Sequence, residues 1–191
     1  LSVNHLLDLV EKVSALSKQH PLVVGISGFG GSGKSTLAKS LANRLDAEIV
    51  SLDEFWLPEN DVLSINWEVF DRARLEQQVL IPAFKEQPIR YQVFDWQQGK
   101  LGEWRSLKNT SYLIVEGISA LHPNLLQYYD FKIWVDCPLE LAQKRGLDRG
   151  KYEYGIDETE HWINVWAPND RAYFEKYRPD LLADFLYQYF A

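Results

Sequence analysis

The sequence predicts an α/β protein built on buried parallel strands. Three observations lead there. Short apolar runs at 22–27, 48–52, 112–115 and 131–136 have the length and content of such strands. Between them lie segments whose apolar side chains recur at helical spacing, the alternation an α/β sheet requires. Acids stand where strands end, at Asp53, Glu116 and Asp136, and a glycine-rich loop follows the first strand.

Residues 1–20 set Val3, Leu6, Leu7, Val10, Val13 and Leu16 on one face of an N-terminal helix that packs ahead of the first strand. That strand opens after Pro21 and runs into G-F-G-G-S-G-K-S-T, which fits the phosphate-binding pattern G-x-x-x-x-G-K-[ST] on Gly28, Gly33, Lys34 and Ser35. A loop that turns several peptide N–H groups toward one anion needs backbone angles that side chains oppose, and Gly28, Gly30, Gly31 and Gly33 supply them. The expected nucleotide cradle is Gly28, Gly30, Gly31, Ser32, Gly33, Lys34, Ser35 and Thr36. Lys34 reaches the outer phosphates, Ser35 offers its hydroxyl to magnesium, and the helix at 36–45 turns its N-terminus to the same anion.

The second strand ends on Asp53-Glu54-Phe55-Trp56. Carboxyl ends of strands in open α/β sheets face the ligand crevice, so Asp53 is a candidate general base for a hydroxyl nucleophile; a turn or helix-capping acid is the alternative. Residues 54–66 are polar, contain Pro58 and read as a loop, and helical spacing resumes at 67 and lasts to about 83. At 89–107 the pattern becomes β-prone around the turn Gln97-Gln98-Gly99-Lys100, a hairpin inserted into the frame. Its Tyr91, Phe94, Trp96 and Trp104, with Arg90 and Asp95, fit a stacking surface for a planar ring, a surface shared by two copies of the chain, or an aromatic mini-core. Phe55, Trp56, Arg90, Tyr91 and Asp95 are the candidate acceptor contacts.

The strand at 112–115 ends on Glu116-Gly117, the place for a second, magnesium-orienting carboxylate. Asp136 competes for that role. Glu116 is favoured because the glycine beside it allows close backbone approach, whereas Asp136 leads into Cys137-Pro138 and a new helix. A short helix starts at 123–127. The lid region, 138–152, holds a helix at 139–149 with Lys144, Arg145 and Arg149, followed by Lys151. Such cations suit a lid that closes over transferring phosphate, although a helix C-terminus favours them as well. A further amphipathic helix spans 158–177, Pro179 breaks it, and 184–190 forms the last strand.

The 191 residues suit one domain, without repeat or linker. A net charge of −7 argues against a chain that coats nucleic acid or anionic membrane and favours a small-molecule partner. Cys137 is the single cysteine, which excludes an intrachain disulfide, and it reads as a buried apolar side chain of an intracellular protein. No apolar run reaches roughly 18 residues and no secretory signal opens the chain, so a soluble, cytoplasmic protein is expected. With Leu1 first and no methionine, the natural N-terminus is read as trimmed or outside this sequence.

The combination G-I-S-G-F-G-G-S-G-K-S-T, L-D-E-F-W, I-V-E-G-I and I-W-V-D with K-R-G-L-D-R-G resembles the uridine kinase and phosphoribulokinase group of P-loop kinases over nearly the whole chain. The resemblance implies a three-layer P-loop NTPase fold with a five-stranded parallel sheet flanked by helices. It implies ATP with magnesium as donor and γ-phosphate transfer to a hydroxyl of a small metabolite. It also supports Asp53 as base, Glu116 at the metal, and Arg145 and Arg149 as lid arginines. Uridine kinases carry P-x-Y-D before their hairpin and a longer arginine-rich lid, where this chain has P-I-R-Y-Q-V-F-D-W and the short K-R-G-L-D-R-G. That short lid and W-x-x-V-W at 162–166 resemble nicotinamide riboside kinases. Both relatives phosphorylate the primary hydroxyl of a ribonucleoside, so a nucleoside-like acceptor is expected, with another small alcohol as the alternative. A GTPase-type switch would need N-K-x-D late in the chain, and the near match at 43–46 lies on the helix just after the loop. A non-catalytic nucleotide-binding module is disfavoured by intact Lys34, Ser35, Asp53 and Glu116.

Overall fold

The computed structural model describes residues 3–17, 20–57, 65–153, 155 and 157–188. Pro58 and the rest of 58–64, residues 1, 2, 18 and 19 of the expected first helix, and Tyr189 and Phe190 of the expected last strand lie outside the described residues; that helix ends at Ser14, short of the expected 20.

Five parallel strands form the central sheet in the order β2-β5-β1-β6-β7: β1 Leu22–Ser27, β2 Glu48–Ser51, β5 Tyr112–Glu116, β6 Phe131–Asp136 and β7 Phe185–Gln188. Successive strand residues point to opposite faces, and this divides the core. Val24, Ile26, Ile114 and Ile133 meet α1 (Val3–Ser14) and α2 (Lys34–Leu45) through Leu9, Leu37 and Leu41. Val23, Val50, Leu113 and Val115 face the other way, onto Phe55, Leu75, Val79 and Tyr173. All of these strand side chains are buried, which is why the strands read as continuous apolar runs.

The second layer begins with a 3-10 turn at Leu52–Phe55 and continues after the loop as α3 (Arg72–Leu75), a π turn (Glu76–Leu80) and α4 (Ile81–Phe84). Beside it stand β3 (Arg90–Asp95) and β4 (Lys100–Ser106), an antiparallel pair with a register shift between Gln92 and Phe94. Helix α5 (Leu139–Glu153) follows β6, then α6 (Thr159–His161), a π turn (Trp162–Trp166), α7 (Ala167–Tyr177) and α8 (Pro179–Leu182). No described helix is long and apolar enough to cross a membrane.

Several boundaries differ from the sequence expectation for physical reasons. The helix expected from 67 starts at Arg72, because Asn66 and Trp67 both take left-handed angles (φ 59) and Asp71 caps the first turn by accepting the Arg74 N–H. The two π turns each precede a proline, Pro82 or Pro168, which lacks the N–H that a regular helix would bond four residues back. The helix expected at 123–127 is a 3-10 turn at Leu126–Tyr128. Pro179 starts α8 rather than ending a helix, since the reversal falls on Arg178 (φ 44).

Candidate active site

The loop between β1 and α2 has the angles its glycines suggest. Gly31 (φ 79) and Gly33 (φ 95) are left-handed, and Gly33 stands at the N-cap of α2. A Cβ on Gly31 would lie 2.1 Å from the Ala142 carbonyl oxygen, so the loop presses directly on helix α5. Lys34 Nζ donates to the Phe29 carbonyl at 3.4 Å, back over its own loop. Ser32 Oγ is buried without a hydrogen-bond partner, and Thr36 is exposed on the first turn of α2.

Strand register sets the acids. Glu116 pairs with Ile26 on one side and Ser51 on the other, which levels the ends of β1, β5 and β2. Ser35 Oγ donates to Glu116 Oε2 at 3.1 Å. Burial pushes the Glu116 carboxyl pKa up; Lys34 pulls it down, Asp53 pushes it up, and hydrogen bonds from Ser51 and Ser35 pull it down. Asp53 sits on the 3-10 turn after β2, open to solvent yet crowded by protein around most of its carboxyl, and the lost hydration raises its pKa. Lys34 and then Arg149 counter that rise, while Glu54 adds to it. Asp53, Glu116, Lys34 and Arg149 therefore share one electrostatic field. Arg145 is turned differently: its Nη1 contacts the Cys137 thiol at 3.8 Å. Asp136 pairs in register with Gln188 of β7 and is exposed, whereas Glu116 holds the bond to Ser35.

No cluster of three or more His, Cys, Asp or Glu side chains able to hold a metal occurs among the described residues. The Ser35–Glu116 pair is a small set of hard oxygen donors. That fits magnesium, which is usually held by one or two carboxylates plus phosphates and water rather than by an all-protein cage.

The acceptor candidates need correction. Phe55 and Tyr91 are fully buried and stack at 5.3 Å, so they hold the hairpin to the Asp53 turn and present no ring to the crevice. Trp56 is buried against Phe70 and Trp96. Asp95 spends its oxygens on the hairpin turn, accepting from the Gln97 and Gln98 backbone and from Gln98 Nε2. Arg90 is exposed and stacks over Trp104 at 5.0 Å.

Sequence reasoning missed Arg74, Arg105 and Asp170, which brace these parts, and the anchoring role of Glu54 beside Tyr91. Tyr91 Oη and Arg105 Nη1 each donate to Glu54 at 2.7 Å, and Arg74 stacks 4.7 Å over Phe55 while donating to the Gln92 carbonyl. Asp170 on α7 accepts the Gly30 N–H and the Trp67 indole N–H, both at 2.9 Å. Nothing in the sequence marks these partners except polar residues set among apolar ones, a pattern that also describes any solvated helix face.

A family model described as an AAA domain matches residues 24–162. A uridine kinase of Lactobacillus helveticus is 28% identical over 151 residues, covering 72% of this chain and 71% of its own length. One from Clostridium tetani is 27% identical over 172 residues, 82% of each chain. Among solved structures, a possible uridine kinase from Bacillus stearothermophilus superposes with a TM-score of 0.76 over 96% of this chain and 97% of its own, at 18% identity, a likeness of fold.

Proposed function

We propose that this chain, which belongs to the AAA domain family and is a uridine kinase-like P-loop phosphotransferase acting on a hydroxyl, uses ATP with magnesium to phosphorylate the primary hydroxyl of a nucleoside-like metabolite. The observation that carries the reading is the Ser35–Glu116 hydrogen bond beside Lys34, with Asp53 in the same field. A simple anion-binding loop needs neither acid.

In this reading the loop N–H groups and Lys34 bind the outer phosphates, and Ser35 and Glu116 hold the cation. Bound magnesium nucleotide supplies the phosphoryl group and offsets part of its charge. Asp53 accepts the proton of the acceptor hydroxyl at a carboxylate oxygen. Arg149, already within electrostatic reach of Asp53, supports the developing charge when the lid is closed, and Arg145 joins it only if it leaves Cys137. The acceptor's partners lie beside Asp53 and not among the buried hairpin aromatics. We place the reaction in the cytoplasm, where both ATP and magnesium are at hand.

The test is magnesium-dependent ADP production from ATP, with GTP in parallel, against nucleosides, nicotinamide riboside, pantothenate and simple sugars. Stimulation by a nucleoside, abolished in Asp53→Asn with ATP still bound, is the expected result. Silence across the panel from a protein that binds ATP tightly would turn the reading toward another alcohol or a non-catalytic module.

A further inference from the structure

Asp170 is fully buried, and each of its carboxylate oxygens is taken by a distant part of the chain. Oδ2 accepts the Gly30 N–H of the phosphate loop and Oδ1 the indole N–H of Trp67. Its neighbour Asn169 accepts the Trp67 backbone N–H at 3.1 Å and donates to the Val165 carbonyl at 2.9 Å. Trp67 and Asn66 hold left-handed backbone angles, a conformation that is strained for a bulky residue and persists only where its surroundings enforce it.

The Trp67 turn is tied to the candidate base. Leu57 N–H donates to Val69 O and Asp71 N–H to Phe55 O, both at 2.7 Å, so the segment after Trp67 zips onto the end of the Asp53 turn. The loop is equally confined: a Cβ on Gly30 would meet Trp162 Cη2 at 2.8 Å, and one on Gly146 of α5 would meet Trp162 Cζ2 at 2.2 Å. One carboxylate thus joins the phosphate loop to the segment that zips onto the Asp53 turn. A buried carboxylate is a costly way to fill space, since an apolar side chain of similar size needs no partners. Burial pushes its pKa up to about 6 despite the Gly30 bond, Lys34 and Trp67, which all favour the charged form.

We propose that Asp170 is a positioning residue for phosphoryl transfer, its carboxylate holding the Gly30 peptide in fixed register with the Trp67–Asp71 segment and, through it, with Asp53. This rests on the kinase reading above. Asp170 acts through Gly30 and Trp67. Because it sets the placement of donor against base, its loss falls on turnover more than on nucleotide affinity, and a displacement of about 1 Å can cost on the order of a hundredfold in rate.

Asp170→Asn keeps the shape but leaves one acceptor where two donors converge. The expected result is a fall in kcat of about 30- to 100-fold, with the dissociation constant for magnesium-ATP within about threefold of wild type. Trp67→Phe removes only the indole donor and should lower kcat by about three- to tenfold. Wild-type kcat in Asp170→Asn overturns the proposal, as does an equal loss of kcat and nucleotide affinity, which marks a merely structural role. If Asp170→Asn does not fold, Trp67→Phe decides, and unchanged kcat there overturns it. If the wild type phosphorylates no hydroxyl, the kinase reading has failed, and hydrogen exchange then reads the contact alone. At least tenfold faster exchange of the Gly30 amide or the Trp67 indole hydrogen in Asp170→Asn supports the joint, and unchanged exchange overturns it.

Discussion

The phosphate loop and the β3–β4 hairpin both bear on Asp53, yet they are held by different means. The loop turns on its own residues, left-handed Gly31 and Gly33, a Ser32 N–H donated to Phe29 O at 3.0 Å and Lys34 folded back on the same carbonyl, and one distant carboxylate, Asp170, then fixes its Gly30 peptide. The hairpin is held by contacts across long stretches of chain, Arg105 and Tyr91 to Glu54 and Arg74 to Gln92. Chemistry that one backbone turn can satisfy leaves its residues in chain order. Packing that several elements share does not.

The strongest way to sharpen that contrast is within the loop. Lys34→Ala removes a cation that acts on Asp53, Glu116 and Asp170 alike, and turnover should fall by about a thousandfold or more. Steady-state ADP release checks it; retention of a tenth of wild-type activity would mean that the loop does not carry the phosphate charge. Next comes Asp53→Asn, with an expected loss of about 10²–10⁴ in kcat and near-normal ATP affinity by calorimetry. A loss confined to KM would move Asp53 from base to binding residue.

The joint between the two regions gives the third prediction, read by pH. Burial raises the folded-state pKa of Asp170 to about 6, above its ordinary 3.8, so the native state favours the protonated form. The stability this confers is complete below the unfolded pKa and is lost as pH rises through the folded one. The size is about 3 kcal/mol at most. Urea unfolding at pH 4.5 and pH 8 should therefore show Asp170→Asn further below wild type at the acid end than at the alkaline end. A constant gap would mean that Asp170 is charged in the folded state, as it is in the unfolded one, across this whole range.

Much of the frame was legible because anion binding dictates residue types at fixed spacing. Gly33, Lys34 and Ser35 mark the loop by their spacing, and Glu116 stands at a strand end that parallel register levels with the end of β1, beside Ser35. Asp170 was not legible: its partner Gly30 lies 140 residues away, and an acid early in a helix reads as favourable to the dipole. Trp67 reads as the start of a helix for the same reason, since the partners that hold its left-handed turn include Asn169 and Asp170, more than a hundred residues away. Tyr91 and Phe55 show the limit of composition. An aromatic ring fits a core and a ligand wall equally well, and only tertiary contacts decided for the core.

The outer face of the hairpin gives the smallest expected effect. Trp96 and Trp104 remain 58% and 49% exposed, and Arg90 stacks on Trp104 from the solvent side. Because about half of the Trp104 side chain is removed from water and Arg90 stacks on it, Trp104→Ala should lower unfolding free energy by about 1 kcal/mol. If the hairpin serves only to brace the Asp53 turn through Glu54, the variant should also keep kcat and the acceptor KM within about twofold. A tenfold rise in acceptor KM at constant kcat would instead make the exposed strip part of the acceptor site, because uniform binding would have been lost without any change in the chemical step. The contrast with the loop would then break: the hairpin would present substrate contacts on its exposed side while Tyr91 and Phe55 anchor it from within.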